Sequence, residues 1–411
     1  MRFVAVSAQG EVMKINKLRV APGTSNNTVD AAPLLDVGRG NHPLKSEIME
    51  SISEIIDSGR FIGGPHVAAL EASVAEVSGT EFAIGCASGS DSILLALMAV
   101  EIKPGDEVIC PSFTFFATAS AIHRLGAKPV FIDIEHDSFN IDVRQIESLI
   151  TDKTKAIIPV HLFGQCADMD PIMEIARAHN LHVIEDCAQS IGATDFGRPA
   201  GSMGSVGCFS FYPTKNLGGF GDGGMLTTND PQIADRLRLL ANHGMRPRYY
   251  HSEVGINSRL DAIQAAVLCA KMKHLPEYSQ RRNDNAVRYR QLMLESGLGA
   301  VISLPNTLPD FGHVWNQFTI RIPGGRRDEV RQQLAEMNVG TDIYYPVPLH
   351  QQECFAYLSD DTCPLPETEL ASSEVLSIPI FPELTDEEQQ YVVDCLAKVL
   401  VGGISQLRMA G

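Results

Sequence analysis

Seven short apolar segments alternate with helical patterns between residues 82 and 228, and no other feature of the sequence constrains the fold as strongly. Strands that are apolar on both faces must be covered on both sides, and crossover helices provide that cover. The pattern therefore predicts an α/β fold with a mainly parallel seven-stranded sheet. The predicted strands span residues 82–86, 107–110, 129–132, 156–160, 182–185, 206–211 and 224–227.

The length of 411 residues exceeds what one hydrophobic core usually holds, so we expect two domains. Residues 1–32 lack sustained apolar periodicity and are predicted to form a flexible leader. Residues 33–275 contain all predicted strands of the sheet and form the large domain. From residue 276 the pattern changes to a polar helix, two strands and a final amphipathic helix, which predicts a smaller C-terminal α+β domain over residues 276–411.

The chain carries 33 Lys and Arg against 50 Asp and Glu, a net charge of −17. Such an acidic balance argues against a broad basic face that would bind nucleic acid or an anionic membrane. It is compatible with a local pocket that binds a phosphate group.

The nine cysteines are scattered, odd in number and without a CxxC pair. They indicate reduced thiols rather than a disulfide framework or a zinc site, so we predict no metal. No apolar segment reaches the roughly 18 residues that span a bilayer, and the N-terminus lacks a secretory signal pattern. These observations predict a cytoplasmic protein.

Lys215 follows the apolar run 206–212 and precedes a loop rich in glycine. A lysine held between a strand and such a loop suggests a fixed amine that faces a flat or phosphorylated ligand. The alternative is a surface lysine beside a flexible loop, which is the more common arrangement for a lone lysine. The glycines of this loop are Gly218, Gly219, Gly221, Gly223 and Gly224.

Ligands of open α/β sheets gather at the C-terminal ends of the strands, and several predicted strands end in polar or aromatic residues. Gly89 and Ser90 open the helix after the first strand, where free N–H groups could bind a phosphate. The alternative is that Ser90 only caps the helix. Phe115 follows the second strand and could stack on a planar ring, or it could pack in the core.

Glu185 and Asp186 are adjacent at the end of the fifth strand, so their side chains point to opposite faces and at most one enters a given pocket. A buried carboxylate needs a cationic partner such as a protonated pyridine nitrogen, although an acid here could instead cap the next segment. Lys215 could form a Schiff base with an aldehyde, and Ser210 could bind a phosphate. Together these requirements match pyridoxal 5'-phosphate.

The motifs around these residues resemble those of the DegT/DnrJ/EryC1/StrS family of sugar aminotransferases, from about residue 33 to residue 400. The resemblance implies the aspartate aminotransferase architecture, fold type I, with pyridoxal phosphate as the cofactor. The motifs are SGRFIGGP (58–65), ASGSDSILLAL (87–97), PSFTFFAT (111–118), EDCAQSIGA (185–193), CFSFYPTKNLGGFGDGGM (208–225) and GINSRLDAIQAA (255–266).

The same resemblance implies a role for each cofactor contact. Lys215 would hold the cofactor as a Schiff base, Asp186 would pair with the pyridine nitrogen, and Gln189 would hydrogen-bond the ring hydroxyl. Phe115 would stack on the ring. Ser90 stands where the family commonly has threonine, and it keeps the hydroxyl. The phosphate would be held by Gly89, Ser90, Ser210 and Asn257 of the partner subunit.

The resemblance also implies the reaction and the partners. A homodimer with active sites at its subunit interface would transfer the amino group of L-glutamate to a keto sugar linked to a nucleotide diphosphate. The stretch KNLGGFGDGG (215–224) is more similar to relatives that aminate C3 than to the C4 group, which carries a TTGEGG-like stretch. We expect this glycine loop to leave room for the sugar, and basic residues nearby to meet the substrate unless they are merely solvated. The substrate-side candidates are His243, Arg246, Tyr345 and His350.

Other functions remain possible interpretations of the same residues. A C4 aminotransferase would use the same cofactor contacts. A sugar dehydratase of this fold would carry histidine in place of Lys215, and a catalytically silent regulator that binds nucleotide sugars would not need Asp186 and Lys215. A nicotinamide-dependent enzyme would need a GxGxxG motif after the first strand, which this sequence lacks.

Overall fold

Twelve strands form the sheets of the computed structural model, which describes residues 29–361 and 363–402. Most of the predicted leader, residues 1–28, therefore lies outside the described residues. The strands are β1 (Phe82–Cys86), β2 (Glu107–Pro111), β3 (Lys128–Ile132), β4 (Thr154–Ile157), β5 (His182–Asp186), β6 (Thr194–Asp195), β7 (Arg198–Pro199), β8 (Val206–Ser210), β9 (Gly224–Thr228), β10 (Phe311–Gly312), β11 (Phe318–Arg321) and β12 (Val375–Ile378).

The helices pack on both faces of the main sheet and build most of the C-terminal part. None of them, within the ranges that the structure describes, is long and apolar enough to cross a bilayer. They are α1 (Val37–Asn41), α2 (Lys45–Ser58), α3 (Pro65–Val77), α4 (Gly89–Ala99), α5 (Ala117–Arg124), α6 (Ile146–Leu149), α7 (Met169–His179), α8 (Pro231–Leu240), α9 (Ala262–Met272), α10 (Leu275–Glu295), α11 (Arg327–Glu336), α12 (Pro366–Glu374) and α13 (Asp386–Leu400), with 3₁₀ helices at Val143–Gln145, Leu162–Gly164, Leu298–Ala300, Leu349–Gln351 and Glu353–Asp361.

The main sheet has seven strands in the order β1-β9-β8-β5-β4-β2-β3. The pairs from β8 to β3 are parallel, whereas β9 runs antiparallel to both β1 and β8. The predicted mainly parallel seven-stranded sheet is therefore confirmed. The fourth strand ends at Ile157 instead of residue 160, because Pro159 has no N–H with which to continue the ladder.

The C-terminal part contains a second, smaller sheet in which β11 pairs with β12 in antiparallel register. Its core is built around Tyr289 and Phe318, which are fully buried with ring centroids 5.2 Å apart. The N-terminal stretch also packs against this part. Ala32, which precedes the predicted domain start at residue 33, is buried and pairs with Val339.

Packing is shared between the two predicted domains. Phe113 and Phe163, which precede residue 276, lie in the same hydrophobic cluster as the core of the small sheet. Leu349 and Phe355, which follow it, pack into the cluster on the main sheet. The helix α10 begins at Leu275, and the division at residues 275 and 276 stays a prediction.

Candidate active site

Lys215 lies in the loop after β8, at the C-terminal edge of the main sheet. Its backbone N–H donates to the carbonyl oxygen of Tyr212 at 2.9 Å, which closes a tight turn. Its Nζ has no hydrogen bond or ion pair with any residue of the described ranges. Burial lowers the pKa of Lys215 to about 8, although the charge of Asp186 acts in the opposite direction. At pH 7.4 about a fifth of this amine is then neutral, far more than for an ordinary lysine, and a nucleophile or a base must be neutral.

Asp186 ends β5 and is nearly fully buried. Its Oδ2 accepts a 2.8 Å hydrogen bond from Thr118 Oγ1, and its Oδ1 accepts a 3.2 Å bond from the N–H of Ala188. Burial raises the pKa of Asp186 above its usual value. Within the described part of the chain it forms no ion pair, so a cation placed at this carboxylate would relieve its desolvation.

Glu185 points to the opposite face of the sheet, in agreement with the prediction that only one of the two acids enters the pocket. Its Oε2 lies 2.9 Å from His161 Nε2, and His161 Nδ1 accepts the N–H of Ala167 at 3.1 Å. Burial would raise the pKa of Glu185, but the bonds from His161 and from backbone N–H groups hold it below the usual value. The Glu185 carboxylate and both nitrogens of His161 are thus used in hydrogen bonds within the protein. Cys187 lies close to both residues, and the three side chains together have the spacing of a possible metal site. The backbone donors to Glu185 are Gly201, Met203 and Gly204.

The N-terminus of α4 meets the end of β8 at a very close approach. A Cβ added to Gly89 would lie 2.6 Å from the Cβ of Ser210, so only glycine fits there. Ser88 caps the helix by accepting the N–H of Asp91 at 3.1 Å, and the side chain of Ser90 stays exposed. Since the first N–H groups of a helix have no partner inside it, this corner offers N–H and hydroxyl donors to an anion.

Gln189 and Phe115 are joined by a residue of the C-terminal part, Tyr345. The Gln189 carbonyl oxygen accepts the N–H of Phe163 at 2.6 Å, and its amide nitrogen donates to the Tyr345 hydroxyl at 3.3 Å. The ring of Tyr345 lies 6.2 Å from the ring of Phe115, which is 57% exposed. Phe113, two residues earlier, is fully buried, so the segment supplies one aromatic ring to the core and one to the open side.

His350, a predicted substrate residue, is tied to the loop that carries Phe115. Its Nδ1 lies 2.8 Å from Ser112 Oγ, and the same hydroxyl accepts the backbone N–H of His350 at 3.0 Å. Its Nε2 lies 3.3 Å from Glu369. Both ring nitrogens have protein partners, and a direct contact between His350 and substrate stays a prediction.

The remaining predicted contacts lie on a surface segment between α8 and α9. Asn257 is exposed and forms an isolated bridge with Asn242, and Arg246 pairs with Asp235 at 2.8 Å. The carbonyl oxygen of His243 accepts a bond from the ring of His251. Among the described residues, no hydrogen bond or ion pair joins Asn257, His243 or Arg246 to Lys215, and the roles of these three residues stay predictions.

Two glycines of the loop after Lys215 are packed closely against backbone. A Cβ at Gly218 would lie 2.4 Å from the carbonyl oxygen of Pro213, and a Cβ at Gly224 would lie 2.4 Å from that of Ser88. Packing against backbone requires glycine at these two positions, and the expectation that the loop leaves room for the sugar stays a prediction. Here glycine permits close backbone packing around Lys215.

Thr118 is the contact of Asp186 that the sequence did not single out. It lies in the PSFTFFAT motif, three residues after Phe115 and in the first turn of α5. Only the pairing of β2 with β4 and of β4 with β5 brings this turn to Asp186. The signal available in the sequence was a hydroxyl one helical turn from the predicted stacking residue.

Comparison with known sequences identifies the family. The sequence profile of the DegT/DnrJ/EryC1/StrS aminotransferase family matches residues 43–397. The chain belongs to this family. The predicted family is thereby confirmed, and a TM-score of 0.85 to a solved structure of an aminotransferase of this family from Brucella abortus confirms the predicted fold.

Three relatives illustrate what this DegT/DnrJ/EryC1/StrS chain is similar to. A pleiotropic regulatory protein from Geobacillus stearothermophilus is 49% identical over 366 residues, which cover 89% of this chain and 98% of the relative. A UDP-N-acetyl-3-dehydro-alpha-D-glucosamine 3-aminotransferase from Acidithiobacillus ferrooxidans is 45% identical over 372 residues, covering 90% of this chain and 99% of the relative. The crystal structure of Streptomyces venezuelae DesV in complex with a ketimine intermediate has a TM-score of 0.85 and 41% identity, covering 90% of this chain and 98% of that chain.

Proposed function

We propose that this protein is a pyridoxal phosphate-dependent aminotransferase that moves the amino group of L-glutamate to C3 of a 3-keto sugar linked to a nucleotide diphosphate. The observation that carries the proposal is that Lys215, a half-buried amine with a pKa of about 8, and the buried carboxylate of Asp186 lie close enough to interact electrostatically. Membership in an aminotransferase family supports the reaction class.

The donor set fits the cofactor. Asp186 lacks a cationic partner among the described residues and would pair with the pyridine nitrogen, while the corner of Gly89 and Ser210 would hold the phosphate. Phe115 has an exposed ring that could stack on the cofactor. Tyr345 contacts both this ring and the amide of Gln189. When bound, pyridoxal phosphate supplies an aldehyde for Lys215 and a ring that accepts electrons from the substrate carbon.

The residues of the chain have distinct tasks in this reaction. Lys215 would hold the cofactor through its Nζ, and in its neutral form this amine would take up and return the proton that moves during transamination. Asp186 keeps the ring nitrogen protonated, and Thr118 holds the carboxylate in place for that purpose. The second half of the reaction uses the same groups in reverse on the keto sugar.

The name of the Acidithiobacillus relative supports C3 of a 3-keto sugar as the position that is aminated. A C4 aminotransferase is the alternative within the family. An assay with 3-keto and 4-keto sugars of dTDP, UDP and GDP, followed by NMR of the product, distinguishes them. Nitrogen at C3 supports the proposal, and nitrogen only at C4 rejects the assigned position.

A homodimer is part of the proposal, in which Asn257, exposed in one subunit, reaches the phosphate of the partner subunit. Sedimentation of the pure protein should therefore give twice the mass of one chain. We also propose a cytoplasmic location, which the free state of all nine cysteines supports.

A regulator without catalysis is the second candidate, because the Geobacillus relative carries a regulatory name. The two functions differ in their response to L-glutamate alone. An aminotransferase loaded with pyridoxal phosphate loses its visible absorption band when glutamate is added. A silent regulator keeps the band.

A further inference from the structure

Two side chains of α9 contact the glycine loop after Lys215, and no step of the reaction uses either of them. Gln264 and Lys271 are seven residues apart, so they lie on one side of the helix about two turns from each other. Gln264 Oε1 accepts the N–H of Phe220 at 2.7 Å. Lys271 Nζ donates to the carbonyl oxygen of Gly218 at 2.7 Å.

Lys271 is an unusual residue to bury, since an ammonium group loses its hydration in the interior. It is 9% exposed, and its Nζ lies 5.1 Å from the centre of the Phe220 ring. A small cavity of about 60 Å³ separates it from Glu383 and is also lined by Lys215. The bond to Gly218 is its only hydrogen bond within the described residues, and the amine can donate that bond whether charged or neutral.

The contacts of the loop connect Gly218 to both sides of Lys215. Gly218 follows Lys215 by three residues and packs on the carbonyl oxygen of Pro213, two residues before it. The N–H of Gly219 donates to the carbonyl oxygen of Phe211 at 2.8 Å. A shift of Gly218 would therefore move the turn that holds Lys215.

We propose that Gln264 and Lys271 are positioning residues that hold the loop 213–221 and thereby set the place of Lys215 Nζ. The inference rests on the proposed function of Lys215 for its catalytic meaning. Whether the two side chains of α9 hold the loop in place can be measured without any catalysis. Hydrogen exchange of the loop amides and the rate of bond formation at Lys215 are the two independent readouts.

The test uses Lys271→Met, which keeps the chain length and removes the donor, and Lys271→Arg, which restores a donor. Lys273→Met is the matched control, because Lys273 pairs with Glu47 at the surface two residues away. In the full-length protein, Lys271→Met should raise amide exchange of the peptide 216–222 by about tenfold, the loss expected for one buried hydrogen bond. Lys271→Arg should restore most of the protection, and Lys273→Met should leave it unchanged.

The kinetic arm measures steady-state turnover with L-glutamate as the amino donor and, as the acceptor, the keto-sugar nucleotide that the substrate assay identifies. Lys271→Met should lower kcat about tenfold or more with KM for glutamate within about twofold, since displacement of the reacting amine affects chemistry more than binding. Borohydride trapping of pyridoxal phosphate on Lys215 should slow in parallel. Unchanged exchange, or a kcat loss that Lys271→Arg does not relieve, overturns the inference.

Gln264→Leu keeps the test informative if Lys271→Met does not fold, because Gln264 is only partly buried. Gln264→Glu retains the oxygen that accepts the N–H of Phe220 and should rescue exchange and kcat. If Gln264→Leu changes neither quantity, the positioning role is rejected. If the parent protein itself does not react with glutamate, the proposed function fails, and the exchange measurement alone still decides whether α9 fixes the loop.

Discussion

Thr118 donates a 2.8 Å hydrogen bond to Asp186, and this bond orients a carboxylate that burial would otherwise leave poorly stabilised. The hydroxyl belongs to the first turn of α5, and the carboxylate belongs to the end of β5, so the packing of the sheet sets their distance. A cation placed at this carboxylate would favour its ionised form further.

Replacement of Asp186 by Asn should abolish most of the transamination. The amide keeps the size of the side chain but cannot stabilise a protonated ring nitrogen, so we expect a loss of roughly 10²- to 10⁴-fold in the single-turnover rate with L-glutamate. Stopped-flow absorbance measures this rate. A variant that reacts within twofold of the parent rate would show that Asp186 has no such role.

Replacement of Thr118 by Val should shift the pH dependence rather than remove activity. The Thr118 hydroxyl acts against burial and lowers the pKa of Asp186, so its loss should raise that pKa further. Because the carboxylate must be ionised, the acid limb of kcat/KM should move to higher pH. Ser120→Ala, on the same helix, is the control, since its hydroxyl bonds only the carbonyl oxygen of Ala117. An unmoved acid limb in Thr118→Val contradicts the assignment.

The reaction of the protein with pyridoxal phosphate should follow the titration of Lys215. Burial lowers the pKa of this lysine to about 8, and only its neutral form attacks an aldehyde. The rate of absorbance change after cofactor addition should therefore level off above pH 8 and fall about tenfold per pH unit well below it. A rate that continues to rise up to pH 10 would indicate an unperturbed lysine.

Replacement of Ser210 by Ala should weaken cofactor binding without unfolding the protein. The hydroxyl lies at the corner with Gly89, and the loss of one hydrogen bond to a charged phosphate costs about 1.5–3 kcal/mol, or roughly 10- to 150-fold in Kd. Gly89→Ala should weaken binding at least as much, since its Cβ would overlap Ser210. Ser373→Ala, on the exposed side of α12, is the control. Equal cofactor affinities in all three variants would reject the phosphate corner.

Glu185 should contribute to stability rather than to catalysis. Its pKa is held below the unfolded value, so the carboxylate stabilises the fold at neutral pH, and that contribution is lost as pH falls through the native pKa. Glu185→Gln places an NH₂ group among N–H donors and should reduce the free energy of unfolding by about 3 kcal/mol. Urea unfolding measures the loss, with the exposed Glu174→Gln as control. Equal stability of the two variants contradicts this role.

The main sheet could be predicted because its strands are continuous apolar runs, and this pattern is local. The opposite orientation of Glu185 and Asp186 followed from the same alternation. The contact of Thr118 with Asp186 could not be predicted, because the order of the strands decides it. The contact of Tyr345 with Gln189 could not be predicted either, because it depends on how the C-terminal part packs on the main sheet. The close packing of Gly218 and Gly224 could not be predicted for the same reason, since their neighbours Pro213 and Ser88 are known only from the folded chain.

The central claim is that Lys215 binds the cofactor and that L-glutamate releases it. Borohydride reduction of the protein with pyridoxal phosphate, followed by peptide mass spectrometry, tests both parts in one experiment. We predict a reduced adduct on Lys215 that disappears when glutamate is added before borohydride, and no adduct in the loop peptide of Lys215→Ala. An adduct on another lysine, or one on Lys215 that glutamate does not remove, would contradict the account.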